Sequence, residues 1–356
     1  MKKKLPSLDG WRAICISLVL LAHCVYVDGF PKLLLPALEV SGAGGLGVRG
    51  FFVISGFLIT WLLVSEREKR GGISLKNFYV RRALRIFPVY YVYLGILAFL
   101  PCYHQDHAAW IGNLTYTTNF IGGPFPTFHL WSLGVEEQFY LLWPALLFLF
   151  AASRRTALGI LMIPLLIAPV VRLLFCKSWY PVQMEWLFQG YSFFSKFDSL
   201  AFGCIGSILL FYQRDRIESF YQKHSSLTTW ASIALIVLPV PLELLHLPAR
   251  LQAATFDSMQ AIGFITLLLQ SILYPGKGFF RALNWRWVRH LGVLSYSIYI
   301  WQQMFCDANS PVFGLGGVLP VRCQVWMWIP VTLLVAHLSY YLLEKPFFSL
   351  REKFRA

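Results

Sequence analysis

Ten stretches of about 20 mostly apolar residues recur along this chain of 356 residues. A run of that length lets an α-helix cross the hydrocarbon core of a bilayer. A helix is favoured there because it satisfies its backbone hydrogen bonds internally. The pattern predicts an all-α, polytopic bundle of transmembrane helices with about ten spans. The predicted spans are 8–27, 46–65, 80–101, 132–152, 156–176, 190–212, 228–247, 252–274, 288–306 and 322–343.

The composition agrees with a chain that lies mostly in the lipid bilayer. Hydrophobic residues make up 57% of it and charged residues only 13%, whereas soluble domains have about 25% charged residues. No stretch is polar enough to form a separate soluble domain, so we expect one transmembrane domain over residues 1–356. The net charge of +14 does not indicate nucleic-acid binding, because the basic residues form short clusters between apolar runs.

The basic residues also predict the orientation of the spans. Cytoplasmic loops of membrane proteins are enriched in Lys and Arg. If the N-terminus is cytoplasmic, basic loops alternate with loops that have few basic residues, and only Lys32, Lys177, Arg250 and Arg322 fall on the outer side. This bias predicts that both termini are cytoplasmic, which requires an even number of spans.

The first span carries Arg12 and His23, eleven residues apart. At about 100° and 1.5 Å per residue, the two side chains share one helix face and lie roughly 16 Å apart along the axis. Arg12 could hold a phosphate-rich donor at the cytoplasmic side, and His23 could accept a proton from a hydroxyl group. An interfacial arginine and a hydrogen-bonded core histidine would give the same spacing.

Arg82 and Arg85 lie at the start of the third span, at positions i and i+3 of a helix. Residues with that spacing share a helix face, and two guanidinium groups there suit the bidentate recognition of phosphate. A positively charged anchor at the cytoplasmic end of a span has the same pattern, and the sequence leaves both interpretations open.

Glu136 and Glu137 stand together near the outer end of the fourth span. A carboxylate inside a span costs at least about 2.5 kcal/mol unless it is paired or hydrogen-bonded, so each is a functional candidate. One of them could pair with an arginine such as Arg49 or Arg172, or could orient His23. A purely structural ion pair is the alternative.

Lys196 and Asp198 lie in the sixth span at positions i and i+2, so their side chains point apart on a helix. We therefore expect each to have its own partner, which the sequence does not identify.

The loop after the third span contains side chains of the types that bind metals. They are Cys102, His104, Asp106 and His107. Their spacing matches no standard zinc pattern, so no metal is expected.

Six segments of the chain resemble the acyltransferase-3 family of integral membrane O-acyltransferases. The resemblance extends through most of the chain, and the order and spacing of the segments make it specific. The segments are Leu8-Asp-Gly-Trp-Arg12 with His23, Arg49-Gly-Phe-Phe-Val-Ile-Ser-Gly-Phe-Leu-Ile59, Arg81-Arg-Ala-Leu-Arg-Ile-Phe-Pro88, Trp131-Ser-Leu-Gly-Val-Glu-Glu-Gln-Phe-Tyr140, Leu294-Ser-Tyr-Ser-Ile-Tyr-Ile-Trp-Gln302 and Glu344-Lys-Pro-Phe347.

This resemblance implies an O-acetyltransferase of the bacterial inner membrane. Its donor would be acetyl-CoA or another acyl-CoA bound from the cytoplasm, and its acceptor a hydroxyl of a cell-surface sugar or glycolipid. By matching position, His23, Glu136 and Glu137 would be catalytic. Arg12, Arg82 and Arg85 would bind the donor. The substrate contacts that we expect are Asp9, Asp198, Trp131 and Gln302.

The chain departs from the family pattern at two positions. Many relatives have an acidic residue at Arg49–Gly50 and a histidine near Gln302. Some relatives also carry a soluble C-terminal hydrolase-like domain. If this protein modifies an acceptor on the outer side, we expect it to act alone or with a separate envelope partner.

Two other functional classes stay open at this point. A transporter or flippase of an anionic or glycosylated lipid would use Arg12, Arg82 and Arg85 as substrate contacts. Such proteins often contain paired repeats, and no repeat is visible in the sequence. A non-enzymatic scaffold of an envelope assembly is the third class.

Overall fold

The computed structural model describes residues 5–25, 27, 29–34, 42–100, 105–123, 126–150, 153–174, 191–244, 248–305 and 324–354. Within these residues every regular element is a helix and there is no strand, so the all-α prediction is confirmed. Four residues singled out above lie outside the described ranges, namely Cys102, His104, Lys177 and Arg322.

The helices are numbered here in chain order. They are α1 (Leu8–Cys24), α2 (Ala43–Arg70), α3 (Leu75–Phe99), α4 (His107–Leu114), α5 (Thr118–Ile121), α6 (Trp131–Phe150), α7 (Arg154–Leu174), α8 (Phe193–Tyr212), α9 (Arg214–Val237), α10 (Pro239–Leu244), α11 (Ala249–Leu273), α12 (Phe280–Leu283), α13 (Arg286–Phe305), α14 (Gln324–Ser339) and α15 (Lys345–Glu352). Two 3₁₀ turns cover Lys32–Leu34 and Phe128–Leu130, and a π-helical stretch covers Tyr340–Glu344.

Seven helical segments within the described residues are long and apolar enough to cross a membrane. They are α2, α3, α6 with the turn before it, α7, α8, α11, and α14 continued into α15. The other three predicted spans correspond to α1, α9 and α13. Of these, α1 has 17 residues, and α9 and α13 each begin with charged residues. The total of ten spans and the cytoplasmic termini stay predictions.

Polar residues fix where two of these helices begin. Ser74 precedes α3 and accepts a hydrogen bond from the backbone N–H of Asn77 (3.4 Å), and Ser192 precedes α8 and accepts one from Ser195 (3.2 Å). Each cap satisfies one of the N–H groups that the first helical turn leaves without a partner. Gly71 follows α2 with a φ of +74°, a conformation that glycine adopts without strain and that ends the helix.

The chain divides into two compact units. The first unit comprises the described parts of Met1–Cys15, Gly45–Ile73 and Val135–Val293; the second comprises those of Ile16–Gly44, Ser74–Gly134 and Leu294–Ala356. Helix α1 contributes to both, because the division falls after Cys15. That residues 1–356 form one transmembrane domain stays a prediction.

Glycines let two helices of the first unit touch. A Cβ atom at Gly56 of α2 would lie 2.0 Å from the carbonyl oxygen of Leu200, and one at Gly203 of α8 would lie 2.1 Å from the carbonyl oxygen of Val53. Neither position has room for a methyl group, so the backbones of α2 and α8 are in direct contact. Small residues at such crossings are typical of helix packing in membranes.

In the second unit, the segment between α3 and α6 folds back onto α3. The hydroxyl of Tyr90 donates to the carbonyl oxygen of Asn113 (2.7 Å), and the hydroxyl of Tyr93 donates to that of Pro126 (3.1 Å). These bonds hold the 3₁₀ turn Phe128–Leu130 against the helix, and this turn carries a histidine of the candidate site.

Candidate active site

His23 lies in the last turn of α1 and is partly buried. Its Nδ1 is 2.8 Å from the carbonyl oxygen of Val19. A carbonyl oxygen can only accept, so Nδ1 carries the proton of this hydrogen bond. In the neutral ring, Nε2 then carries the lone pair that a general base requires.

Gln302 of α13 lies beside His23 in the second unit. It is fully buried, and neither its amide nitrogen nor its amide oxygen has a hydrogen bond of normal geometry to any described residue. The indole Nε1 of the adjacent Trp301 is also buried without such a partner. A buried polar group that stays unpaired costs about 1–3 kcal/mol. Groups of this kind are therefore candidates for binding a polar ligand.

His129 is a second histidine in this region, and its place in the sequence did not predict a role for it. It is 2% exposed and lies close enough to His23 for the two rings to repel each other when both are charged. Its Nε2 is 3.2 Å from the carbonyl oxygen of Ile300, and its Nδ1 is 2.8 Å from the side-chain amide of Gln303. Both ring nitrogens are therefore held by α13.

A tyrosine fixes the backbone next to His129. The hydroxyl of Tyr299 donates to the carbonyl oxygen of His129 (2.8 Å) and also contacts the hydroxyl of Ser132. Trp131, a predicted substrate contact, lies between His129 and Ser132 in the chain, at the start of α6, and is 9% exposed. The second unit thus brings together His23, Gln302 and the segment that contains Trp131.

The predicted acids lie on α6 in the first unit. Glu136 accepts hydrogen bonds from the hydroxyls of Ser55 (2.8 Å) and Tyr140 (2.9 Å), one on each carboxylate oxygen. Glu137 is partly buried. The two arginines considered above as their partners bind other carboxylates, because Arg49 pairs with Asp257 and Arg172 with Asp198.

The predicted donor-binding arginines are distributed over both units. Arg12 lies in the first unit, and Arg82 and Arg85 lie on α3 in the second. All three are partly buried, and the guanidinium of Arg82 lies 5.9 Å from the centre of the Phe78 ring. Arg12 and His23 do share the continuous helix α1, as the sequence predicts.

Backbone contacts of α1 fix the position of Asp9. A Cβ atom at Gly292 of α13 would lie 1.7 Å from the Asp9 carbonyl oxygen, so the two helices touch there. Two residues later, the indole Nε1 of Trp11 donates to the hydroxyl of Ser271 (2.9 Å). The start of α1 is therefore anchored within the first unit.

Lys196 and Asp198 have separate partners, which confirms the expectation from their spacing. Lys196 binds Asp257 at 2.5 Å. Asp198 is fully buried, and its carboxylate accepts hydrogen bonds from Arg172 (3.1 and 2.8 Å) and from the hydroxyl of Ser258 (2.6 Å). Asp257 was not singled out in the sequence, although it is an isolated carboxylate within an apolar run.

In the described part of the chain, no group of three or more His, Cys, Asp or Glu side chains is placed to hold a metal ion.

A comparison with protein families shows which family the chain belongs to. Residues 5–343 match the acyltransferase domain of the acyltransferase-3 family. The chain belongs to this family. No solved structure shows a significant match to it.

Curated relatives of this chain include bacterial O-acetyltransferases. The peptidoglycan O-acetyltransferase OatA of Listeria monocytogenes is 25% identical over 377 residues, which cover 97% of this chain and 56% of that protein. A Bacillus subtilis protein named "Putative peptidoglycan O-acetyltransferase YrhL" is 27% identical over 368 residues, covering 96% of this chain and 54% of that protein. The chain thus spans about half the length of these relatives.

Proposed function

We propose that this protein is a membrane O-acetyltransferase that transfers an acetyl group from acyl-CoA, bound at the cytoplasmic side, to a hydroxyl of a cell-surface sugar. The observation that carries the proposal is that Gln302 lies beside His23. His23 is a histidine whose Nδ1 proton is held by Val19, and Gln302 is a buried amide that has no hydrogen bond of normal geometry to a described residue. Family membership supports the reaction class.

The proposed reaction is an attack of the acceptor hydroxyl on the donor thioester. The hydroxyl gives its proton to Nε2 of His23, and its oxygen bonds to the carbonyl carbon. The C–S bond then breaks, and the thiolate of CoA receives the proton from His23. General base catalysis of this kind contributes about 10²–10⁴-fold to the rate.

Two buried donors are available for the charge that develops in this reaction. The side-chain N–H groups of Gln302 and the indole N–H of Trp301 make no hydrogen bond of normal geometry to a described acceptor. Donors that are already in place where negative charge develops stabilise a transition state, because they need no reorganisation. We assign them to the oxyanion or to the acceptor hydroxyl.

The donor is assigned to the arginines at the cytoplasmic side of the predicted topology. Arg82 and Arg85 lie one helical turn apart on α3 and suit the phosphates of an acyl-CoA. Arg12 lies eleven residues before His23 on α1, roughly 16 Å along the helix axis. An extended donor arm could span that distance and bring its thioester from the phosphate end towards the histidine.

The acceptor is assigned from the relatives. Two of them are named as peptidoglycan O-acetyltransferases, so we propose a peptidoglycan sugar or a related surface glycan. We further propose that the protein acts on this acceptor alone or with a separate envelope partner. The bacterial inner membrane is the proposed location.

The proposal is tested with purified protein, acetyl-CoA and a sugar acceptor. We expect His23→Gln to lower acetyl transfer by about 10²–10⁴-fold, because glutamine has a similar size but is no base. His107→Gln is the matched control, since His107 is exposed on α4, and it should transfer at the wild-type rate. Transfer by His23→Gln within threefold of the wild type would exclude His23 as the base. Acetylated product from the wild type would exclude a pure transporter.

A further inference from the structure

The first unit contains a cluster of five ionisable side chains on four helices, called here the ion cluster. Its members are Arg49 on α2, Arg172 on α7, Lys196 and Asp198 on α8, and Asp257 on α11. Asp257 binds Arg49 through one oxygen (2.8 Å) and Lys196 through the other (2.5 Å). Ionisable side chains inside a membrane are rare, and they commonly mark the path of a substrate or ion.

The ion cluster has three basic side chains and two carboxylates, so its formal charge is +1. No other carboxylate in the described residues pairs with its cations. Asp198 belongs to Arg172, which leaves Arg49 and Lys196 to share the single carboxylate of Asp257. An uncompensated charge in a membrane is unfavourable by several kcal/mol. The arrangement therefore favours a further anion.

The two halves of the ion cluster differ in accessibility. Arg172 and Asp198 are enclosed, with side chains 5% and 0% exposed. The side chains of Arg49, Lys196 and Asp257 are 15%, 13% and 15% exposed. The unmatched positive charge is thus in the more accessible half of the ion cluster.

Donor groups are also unused in this cluster. The Nε atoms of Arg49 and Arg172 are buried and have no hydrogen-bond partner among the described residues, and Arg172 as a whole is 6% exposed. The ammonium of Lys196 has three donors, and one of them is used by Asp257. Charge and donors both remain for an oxyanion.

The position of the ion cluster along its helices indicates a side of the membrane. Helix α2 ends with Arg67, Lys69 and Arg70, and Arg49 lies towards its other end. Helix α7 begins with Arg154 and Arg155, and Arg172 lies in its last turn. With basic helix ends in the cytoplasm, the ion cluster belongs to the outer half of the membrane.

We infer that the Arg49–Asp257–Lys196 half of the ion cluster binds one singly charged oxyanion, a carboxylate or a phosphodiester, from the outer side. The inference rests on the proposed function, from which it takes the orientation of the helices in the membrane. It adds that a ligand of this protein carries a negative charge. Arginine and lysine bind such groups through charge-assisted hydrogen bonds. The anion has two possible sources: the acceptor itself, as an acidic sugar, or the headgroup of a phospholipid.

The first arm of the test measures binding of an acidic sugar without any donor. The probes are N-acetylmuramic acid and its carboxamide, which differ only in the charge of one group. If the anion comes from the acceptor, the wild type should bind the acid about 10–100-fold more tightly than the amide. Lys196→Gln should reduce this preference to about twofold or less. Lys223→Gln, which removes an exposed lysine of α9, is the matched control and should keep the wild-type preference.

The second arm measures stabilisation by lipid in phospholipid-free detergent. If the anion is a headgroup phosphodiester, phosphatidylglycerol should raise the unfolding midpoint of the wild type and of Lys223→Gln, but not that of Lys196→Gln. Diacylglycerol, which lacks the phosphodiester, should leave all three unchanged. In this case both muramic acid probes should bind equally.

The inference is overturned if the wild type discriminates neither between the two sugars nor between the two lipids. It is also overturned if Lys196→Gln discriminates as the wild type does, because the cluster is then an internally balanced structural element. Both arms report binding alone. Failure of the proposed function would appear separately, as full acetyl transfer by His23→Gln.

Discussion

The two units hold their buried polar side chains in different ways. In the second unit, Gln302 and Trp301 have polar atoms without a hydrogen bond of normal geometry to a described residue, and their side chains are uncharged. In the first unit, most polar atoms of the ion cluster are paired, but its charge is not balanced by described carboxylates. The region of Gln302 and Trp301 has unpaired hydrogen-bonding groups that carry no charge, whereas the ion cluster has unpaired donors together with unbalanced positive charge. The first property suits chemistry at a neutral hydroxyl, and the second suits recognition of an anion.

The largest effect on stability is expected from a change in the enclosed ion pair of Arg172 and Asp198. Asp198→Asn leaves the charge of Arg172 buried without a counter-ion, so the free energy of unfolding should fall by about 3–5 kcal/mol. Denaturant unfolding in detergent measures this change. Ser199→Ala, at the next residue, removes a buried hydroxyl that has no described partner and should leave stability nearly unchanged. A loss below 1 kcal/mol for Asp198→Asn would show that the pair is not a structural element.

Substitutions of two adjacent glutamines test the difference between the two units more closely. Gln302→Leu replaces an unpaired amide with an apolar side chain, so stability should be kept while acetyl transfer falls about 10–100-fold, the worth of a donor in the transition state. Gln303→Leu makes the same chemical change but removes the partner of His129, so its unfolding free energy should fall by about 1–3 kcal/mol. Acetyl transfer and the free energy of unfolding are measured for both variants. Equal losses of stability in the two would contradict the distinction between them.

The smallest effect is expected when both members of the enclosed pair are replaced together. The double variant Arg172→Met with Asp198→Leu removes both charges and keeps similar volumes. A buried ion pair gains little over well-packed apolar residues, so unfolding should change by about 1 kcal/mol or less. A double variant that is as unstable as Asp198→Asn would mean that the remaining hydrogen bonds of Arg172 hold the helices together.

The sequence predicts the helices well because the signal is local. Each predicted span has a corresponding helix, since length and hydropathy are read within one run of residues. The same holds for Arg12 and His23, whose shared helix follows from their spacing alone. The spacing of Lys196 and Asp198 likewise indicates that their partners differ.

The partners themselves could not be predicted, because they come from distant parts of the chain. Lys196 binds a residue 61 positions away, and Asp198 binds one 26 positions away. His129 was missed for a similar reason. It precedes α6 in a polar loop, and its role depends on how that loop folds onto α3 and how Gln303 meets it. The pattern in the sequence that could have indicated this role was a pair of neighbouring glutamines in an otherwise apolar helix.

The glycine contact between α2 and α8 makes charge substitutions in the ion cluster interpretable. Arg49 and Lys196 are carried by these two helices, whose register is set where Gly56 and Gly203 meet the opposing main chain. Main-chain contact thus sets the spacing of the two helices, and Asp257 holds the two cationic side chains that they carry. A neutral residue at position 196 should accordingly change the electric field at this place while the supporting scaffold keeps its shape.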